Sequence, residues 1–397
     1  MRAIWLAVLI LVSTSGMASA SELNIARIHQ TSTQGASRLA VQGNTAYVAG
    51  GWAGMQIFDI STGLEPAAIG QLTNRASDIG AYAAAVAVAG TNAYVAANRD
   101  GLYICDVSDS ANPQRVALIQ DLENFGSATD VRVRDRFAYL ANAGDGLRVY
   151  DISNATNPTR AGHLSNVGTP GSAAHISIAV QTLYLANVAD SVRVIDISNP
   201  RLPVEIGHIA PAAGSSVSTE SAEAVGNYLY LANYPEGLRI YDVTDPRAPR
   251  FVSRSQVAFR DHAVDVAVYG NYAVVSLMEE GILIYDVYDP FNPKLVGSAN
   301  DGGSTYSVVL SGNLIFEANY YDGLCVSRMY PWLTIRNASA GIEMSWPSIS
   351  VGFALEQKQL GVTEWTVTPE TESLSSGKHR VLAAPSASNV IYRLHLD

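Results

Sequence analysis

The chain repeats itself. A short phrase of two mostly apolar residues, an aspartate and an aliphatic residue returns at Ile57-Phe58-Asp59-Ile60, Ile104-Cys105-Asp106-Val107, Val149-Tyr150-Asp151-Ile152, Val194-Ile195-Asp196-Ile197, Ile240-Tyr241-Asp242-Val243 and Ile284-Tyr285-Asp286-Val287. A seventh copy has decayed to Val326-Ser327-Arg328-Met329, and the steps between copies are 47, 45, 45, 46, 44 and 42 residues. Such a period marks a stacked or radial array, in which each unit is too small to bury its own apolar faces and uses its neighbours to do so.

One repeat shows what each unit is. Val264–Val268 alternates as a strand does, and Gly270-Asn271 turns the chain. Tyr272–Ser276 is a second strand, Glu280-Gly281 a second turn and Ile282–Tyr285 a third strand. Asp286 ends that strand, Asp289-Pro290-Phe291-Asn292-Pro293 reverses the chain, and Lys294–Ser298 is a fourth strand. Proline just before it suits an outermost strand, because proline cannot donate to a ladder. The recurring Asp and Pro therefore read as folding devices. Four short antiparallel strands, seven times over, predict an all-β, seven-bladed β-propeller. An open solenoid is the alternative, but no copy has the polar outer face of a capping repeat.

The ends fit closure. Repeat seven stops near Tyr330-Pro331 without a fourth strand, while Leu23–Ile28 precedes repeat one and looks like one. Residues 22–30 are therefore expected to complete the last blade, removing two open edges. Before them, residues 1–20 read as a secretory leader: Arg2, an apolar run from Ile4 to Val12, and the small-residue site Ala18-Ser19-Ala20. The run is too short to span a bilayer. The domains expected are thus a signal peptide (1–20), a propeller (21–331) and a small β-sandwich-like domain (332–397).

The repeat resembles the LVIVD family of bacterial and archaeal surface proteins. The likeness is carried by Ala138-Tyr139-Leu140-Ala141-Asn142, by Gly146-Leu147-Arg148-Val149-Tyr150-Asp151-Ile152-Ser153, and by the Asp289–Pro293 turn. It covers roughly residues 22–330 and implies a secreted or surface-exposed propeller with no catalytic motif. Blade one departs from the pattern at Gly50-Gly51-Trp52-Ala53-Gly54, and blade seven at the aspartate. The tail holds Trp332, Trp346 and Trp365 among short alternating runs, and loosely resembles fibronectin type III-like modules.

Charge narrows the partners. The formal net charge is −11, about −12 once Arg2 leaves with the leader. That argues against nucleic acid and anionic lipid. No stretch of the mature chain is apolar enough to insert in a membrane. Cys105 and Cys325, in repeats two and seven, read as buried hydrophobes and not as a disulfide framework.

Two places could carry function. The first strands line the channel of a propeller, and aligning the repeats on the first turn puts Arg38, Ala85, Asp130, His175, Ser221, Asp265 and Ser307 at one level. Such a ring could hold a cation or a ligand amine, or be a hydrated polar plug. The turns between second and third strands share one rim with the loops near 73–84 and 210–220. This rim varies most and carries Trp52, Tyr234-Pro235, Tyr320 and Tyr321. Exposed aromatics on a rigid scaffold suit recognition, and packing over the blade tops is the other reading. The seven histidines form no metal-spaced pair, and nucleophile, phosphate-loop and zinc motifs are absent. The chain calls for no metal or cofactor.

Three functions follow. The first is a non-catalytic secreted, periplasmic or cell-surface binding or scaffold protein, recognising a protein or glycan of the envelope on the aromatic rim. The second is an extracytoplasmic hydrolase or lyase at the channel mouth, around Asp130, His175 and Asp265. The third is a structural matrix component assembled through residues 332–397.

Overall fold

The computed structural model describes residues 23–31, 35–63, 65–73, 82–120, 126–166, 171–211, 218–255, 262–300, 303–331, 333–338, 341–347, 353–359, 363–364, 366–368, 372–375, 378–383 and 390–396. The leader, most of the loops near 73–84 and 210–220, Trp332 and Trp365 lie outside them. The chain divides into two compact units, Ala26–Arg328 and a second of Met1–Ile25 with Met329–Asp397.

Seven four-stranded sheets form the propeller. Blade three is typical: from the inside outward it runs Asp130–Arg134, Phe137–Ala141, Gly146–Asp151 and Thr159–Ser165, all antiparallel. Each innermost strand touches the innermost strands of both neighbouring blades, from blade one round to blade seven and back. Blade seven contains Thr305–Ser311, Leu314–Asn319 and Gly323–Pro331, and its outermost strand is Leu23–Gln30. The N-terminal strand thus closes the ring. Thr31 N–H reaches Leu324 O at 3.0 Å, Leu324 N–H reaches Thr31 Oγ1 at 2.8 Å, and Arg27 pairs with Asp322 at 3.2 Å.

The core lies between blades. Tyr47, Met55 and Ile57 of blade one pack against Val86, Val95 and Tyr103 of blade two, and Phe58 of blade one meets Phe316 and Val326 of blade seven. A strand-three residue such as Ile57 or Val149 is fully buried because blades cover it from either side. Both cysteines are free and buried, Cys105 in the seam between blades one and two, and burial pushes their thiols up to about 12.

The repeated aspartate and proline have separate jobs. Asp59, Asp106, Asp151, Asp196 and Asp242 each accept the N–H two residues on. That bond and the neighbouring hydroxyl hold their carboxyls below the usual range. The Pro-rich turn docks on the preceding blade. The Pro200 carbonyl lies over Gly162, the Pro246 carbonyl over Gly207, and Ser253 Oγ donates to Pro290 O at 2.6 Å. A Cβ at Gly162 would stand 2.4 Å from that Pro200 oxygen, so the outer strand needs glycine there.

The C-terminal sheets are smaller. One is ordered Thr334–Ala338, Gly341–Pro347, Lys378–Ala383, Glu372–Ser375, and the other Thr366–Val367, Phe353–Gln359, Val390–Leu396. Met344, Trp346, Val381 and Ala383 of the first share one core with Leu355, Tyr392 and Leu394 of the second. Two sheets around a common core make a sandwich. Among the described residues no helix is long and apolar enough to cross a membrane.

Candidate functional site

The seven channel residues occupy one register slot. Arg38, Ala85, Asp130, His175, Ser221, Asp265 and Ser307 face Ala49, Ala96, Ala141, Ala186, Ala232, Ser276 and Ala318 on their second strands. The polar ones mostly join blades. Innermost strands do not pair with each other, so their free N–H groups need acceptors. Asp130 Oδ2 accepts from Ile176 N–H of the next blade at 2.9 Å, and Asp265 Oδ2 from Val308 N–H at 3.1 Å. Ser221 Oγ donates to Asp265 Oδ1 at 2.6 Å. One turn of the alternation deeper, Ser177 Oγ accepts from Ala224 N–H at 3.0 Å.

Sequence reading missed the residues of that deeper level. Arg132 donates to Asp130 Oδ1 at 2.9 Å and to His175 Nε2 at 2.8 Å. Burial, then Arg38 and Arg132, push His175 well below the usual imidazole value, which leaves Nε2 a lone pair for that bond. Glu223, beside Ser177, is pushed up to about 7 by burial, with Asp265 and Asp130 adding to the rise and Arg132 opposing it. Stepping two residues along each inner strand would have found both. Two arginines and two aspartates thus surround a neutral histidine, with the Glu223 carboxyl near them. Among the described residues no histidine, cysteine and carboxylate group is arranged to hold a metal.

The rim aromatics fall into two groups. Trp52 is 68% exposed and meets Tyr82 edge-on at 5.4 Å. Tyr321, 63% exposed, meets Tyr320 edge-on at 5.3 Å, and Tyr320 leans on Tyr306 at 5.8 Å. Burial raises the Tyr82 phenol, and the nearby Tyr320 and Tyr306 phenols raise it further. Tyr234 stands apart on blade five, with its ring 4.1 Å from that of His262.

Rim and channel meet at a mouth whose two sides differ. In blades one to four the second turn bridges to the next blade, through Gly51–Ala83, Asn98–Ala128, Ala143–Ala173 and Val188–Thr219. Gly51, Asn98, Ala143 and Val188 all take positive φ to do so. Blades five to seven place Tyr234, Met278 and Tyr320 at that turn. Their inner strands carry a β-bulge instead, between Thr219 and Ser221, Ala263 and Asp265, and Thr305 and Ser307. The extra residues are Glu220, Val264 and Tyr306, and all three line a cavity of about 230 Å³. Bulges re-aim side chains in this way at functional sites. The opposite wall is small, built of Ser37, Ala84 and Ala174, and Arg38 also lines the cavity.

Six segments, residues 35–72, 80–118, 125–165, 170–210, 218–256 and 261–301, match the model of the LVIVD repeat, and together they make up more than half of the chain. The chain belongs to the LVIVD-repeat family. Its six matched repeats correspond to the first six blades, and blade seven, without the turn aspartate, lies outside the match. No curated protein matches by sequence. Among solved structures, the computationally designed Ika8 protein aligns at 9% identity, covering 77% of this chain and 99% of its own, with a TM-score of 0.55. Sqt1 of Saccharomyces cerevisiae aligns at 11% identity over 77% and 98%, with a TM-score of 0.56. BamB of Moraxella catarrhalis aligns at 11% over 74% and 81%, with a TM-score of 0.48. At these identities the likeness to Ika8 and Sqt1 is one of fold alone.

Proposed function

We propose that this LVIVD-repeat protein is a non-catalytic, secreted or cell-envelope binding protein that recognises a protein or glycan partner on the rim carrying Trp52, Tyr234, Tyr320 and Tyr321. The observation that carries the reading is the exposure of Trp52 and Tyr321 beside a mouth where the repeat symmetry breaks. Large aromatics held by a rigid ring offer contact area at little entropic cost. The opposite rim carries the stereotyped Asp and Pro turns, whose carbonyls dock on the preceding blade, although Leu202, Tyr288 and Phe291 there are exposed as well. Placement outside the cytoplasm rests on the leader in residues 1–20. The hydrolase or lyase reading is weaker, because Asp130, His175 and Asp265 already serve backbone N–H groups and Arg132.

The test is capture from an envelope extract. Mature protein is compared with a variant in which Trp52, Tyr234, Tyr320 and Tyr321 are alanine, its fold checked by thermal melting. A partner held by the wild type and lost in the variant is the expected result. A partner retained equally by both overturns the rim as the binding face.

A further inference from the structure

We infer that the channel-mouth cavity takes the terminal sugar of a glycan, and that this sugar carries a carboxylate, as a uronic acid does. The inference rests on the rim reading above and names the ligand class for that face. Arg38 is its centre. Its side chain is 16% exposed, and its ion pair with Asp265 is long, at 3.7 Å. Among the described residues Arg38 makes no hydrogen bond. Asp265 is already satisfied by Ser221 Oγ and Val308 N–H, so it anchors the guanidinium without using up its donors. A planar fork of N–H donors facing a cavity matches a carboxylate.

The other walls suit a sugar ring. Glu220 and His262 stand 3.9 Å apart on the blade-five and blade-six side, where hydroxyl groups find an acceptor carboxylate and an imidazole. Ser218 Oγ also donates to Glu220, fixing its direction. Val264, Met278 and Tyr306 give an apolar face for the C–H side of a ring. At about 230 Å³ the cavity is below the ~300 Å³ at which drug-sized sites begin, so it suits one ring and not a chain of them. A net charge of −11 opposes a polyanion, but salt screens charges more than about 8 Å away at physiological ionic strength, so a single carboxylate is governed mainly by the lining, where Arg38 attracts it and Glu220 on the other wall opposes it. An amine is opposed by the Arg38 charge in the same cavity, and the two channel aspartates are already hydrogen-bonded, which leaves Glu220 as the carboxylate among the lining residues. A peptide C-terminus would satisfy Arg38 but brings no hydroxyls for Glu220 and His262.

Calorimetric and NMR titration of the full chain with methyl glucuronide, methyl glucoside, glucosamine and an N-acetyl dipeptide acid tests this. The expected result is binding of the glucuronide, weakened about tenfold or more by Arg38→Gln and by Glu220→Ala, as loss of a charge-assisted hydrogen bond implies. Arg38→Lys keeps the charge without the fork and is expected to weaken binding too, which covers the case in which Arg38→Gln fails to fold. Equal binding of the glucoside, preference for glucosamine or the peptide acid, or binding of none of the probes overturns the inference. Capture by the Trp52, Tyr234, Tyr320 and Tyr321 variant is read separately, so the rim reading stands or falls on its own.

Discussion

Glu223 and His175 lie on neighbouring inner strands, one level apart, and burial shifts their proton affinities in opposite directions. Burial raises the Glu223 carboxyl to about 7, against ~4.3 in an unfolded chain. Its contribution to stability is full below the unfolded value and is lost as pH rises toward the folded one. Burial lowers His175, so its contribution is present above ~6.5 and falls as pH drops below it. Glu223→Gln removes only the first effect. The melting temperature of wild type minus that of Glu223→Gln should therefore rise steadily as pH falls from about 8 to about 4. A difference independent of pH would show that Glu223 is not held as a protonated acid. Asp130, His175 and Asp265 were legible in the sequence because strand alternation and a turn that recurs in every repeat fix their level. Their role in joining blades was not, since it depends on which N–H of the next blade comes within reach.

The blade is joined to the next at three heights: inner-strand staples, top-turn bridges and the bottom Pro turn. Gly162→Ala should cost ~1–3 kcal/mol by urea unfolding, because a methyl there meets the Pro200 carbonyl backbone. Gly144→Ala, where nothing lies within 4 Å, is the matched control and should change stability by less than about 1 kcal/mol. Equal effects would contradict the docking role of the turn. All four strands of the repeat and its closing N-terminal strand were readable from periodicity and Pro placement. The bulges were not. Ala232 and Leu238 of blade five are spaced as Ala141 and Leu147 of blade three are, so turn length hides the change. The readable signal was residue type: Tyr234, Met278 and Tyr320 stand where the other blades place Gly51, Asn98, Ala143 and Val188 at positive φ.

At the scale of the whole ring, the propeller is a near-symmetric frame whose symmetry is broken on one rim and on one side of that rim. Seven-fold repetition supplies rigidity, and three bulged blades supply the departure that a binding site needs. On the proposed reading a partner meets the aromatic rim and the mouth around Arg38, since Asp130 and Asp265 deeper in the channel already accept hydrogen bonds from neighbouring blades. Hydrogen exchange of the propeller with and without its captured partner tests that most directly. The account predicts slowed exchange at the second turns, residues 50–54, 234–236 and 320–322, and at the bulges around Glu220, Val264 and Tyr306. Slowed exchange confined to the Asp and Pro turns of the other rim, such as residues 106–113 and 286–293, would contradict it.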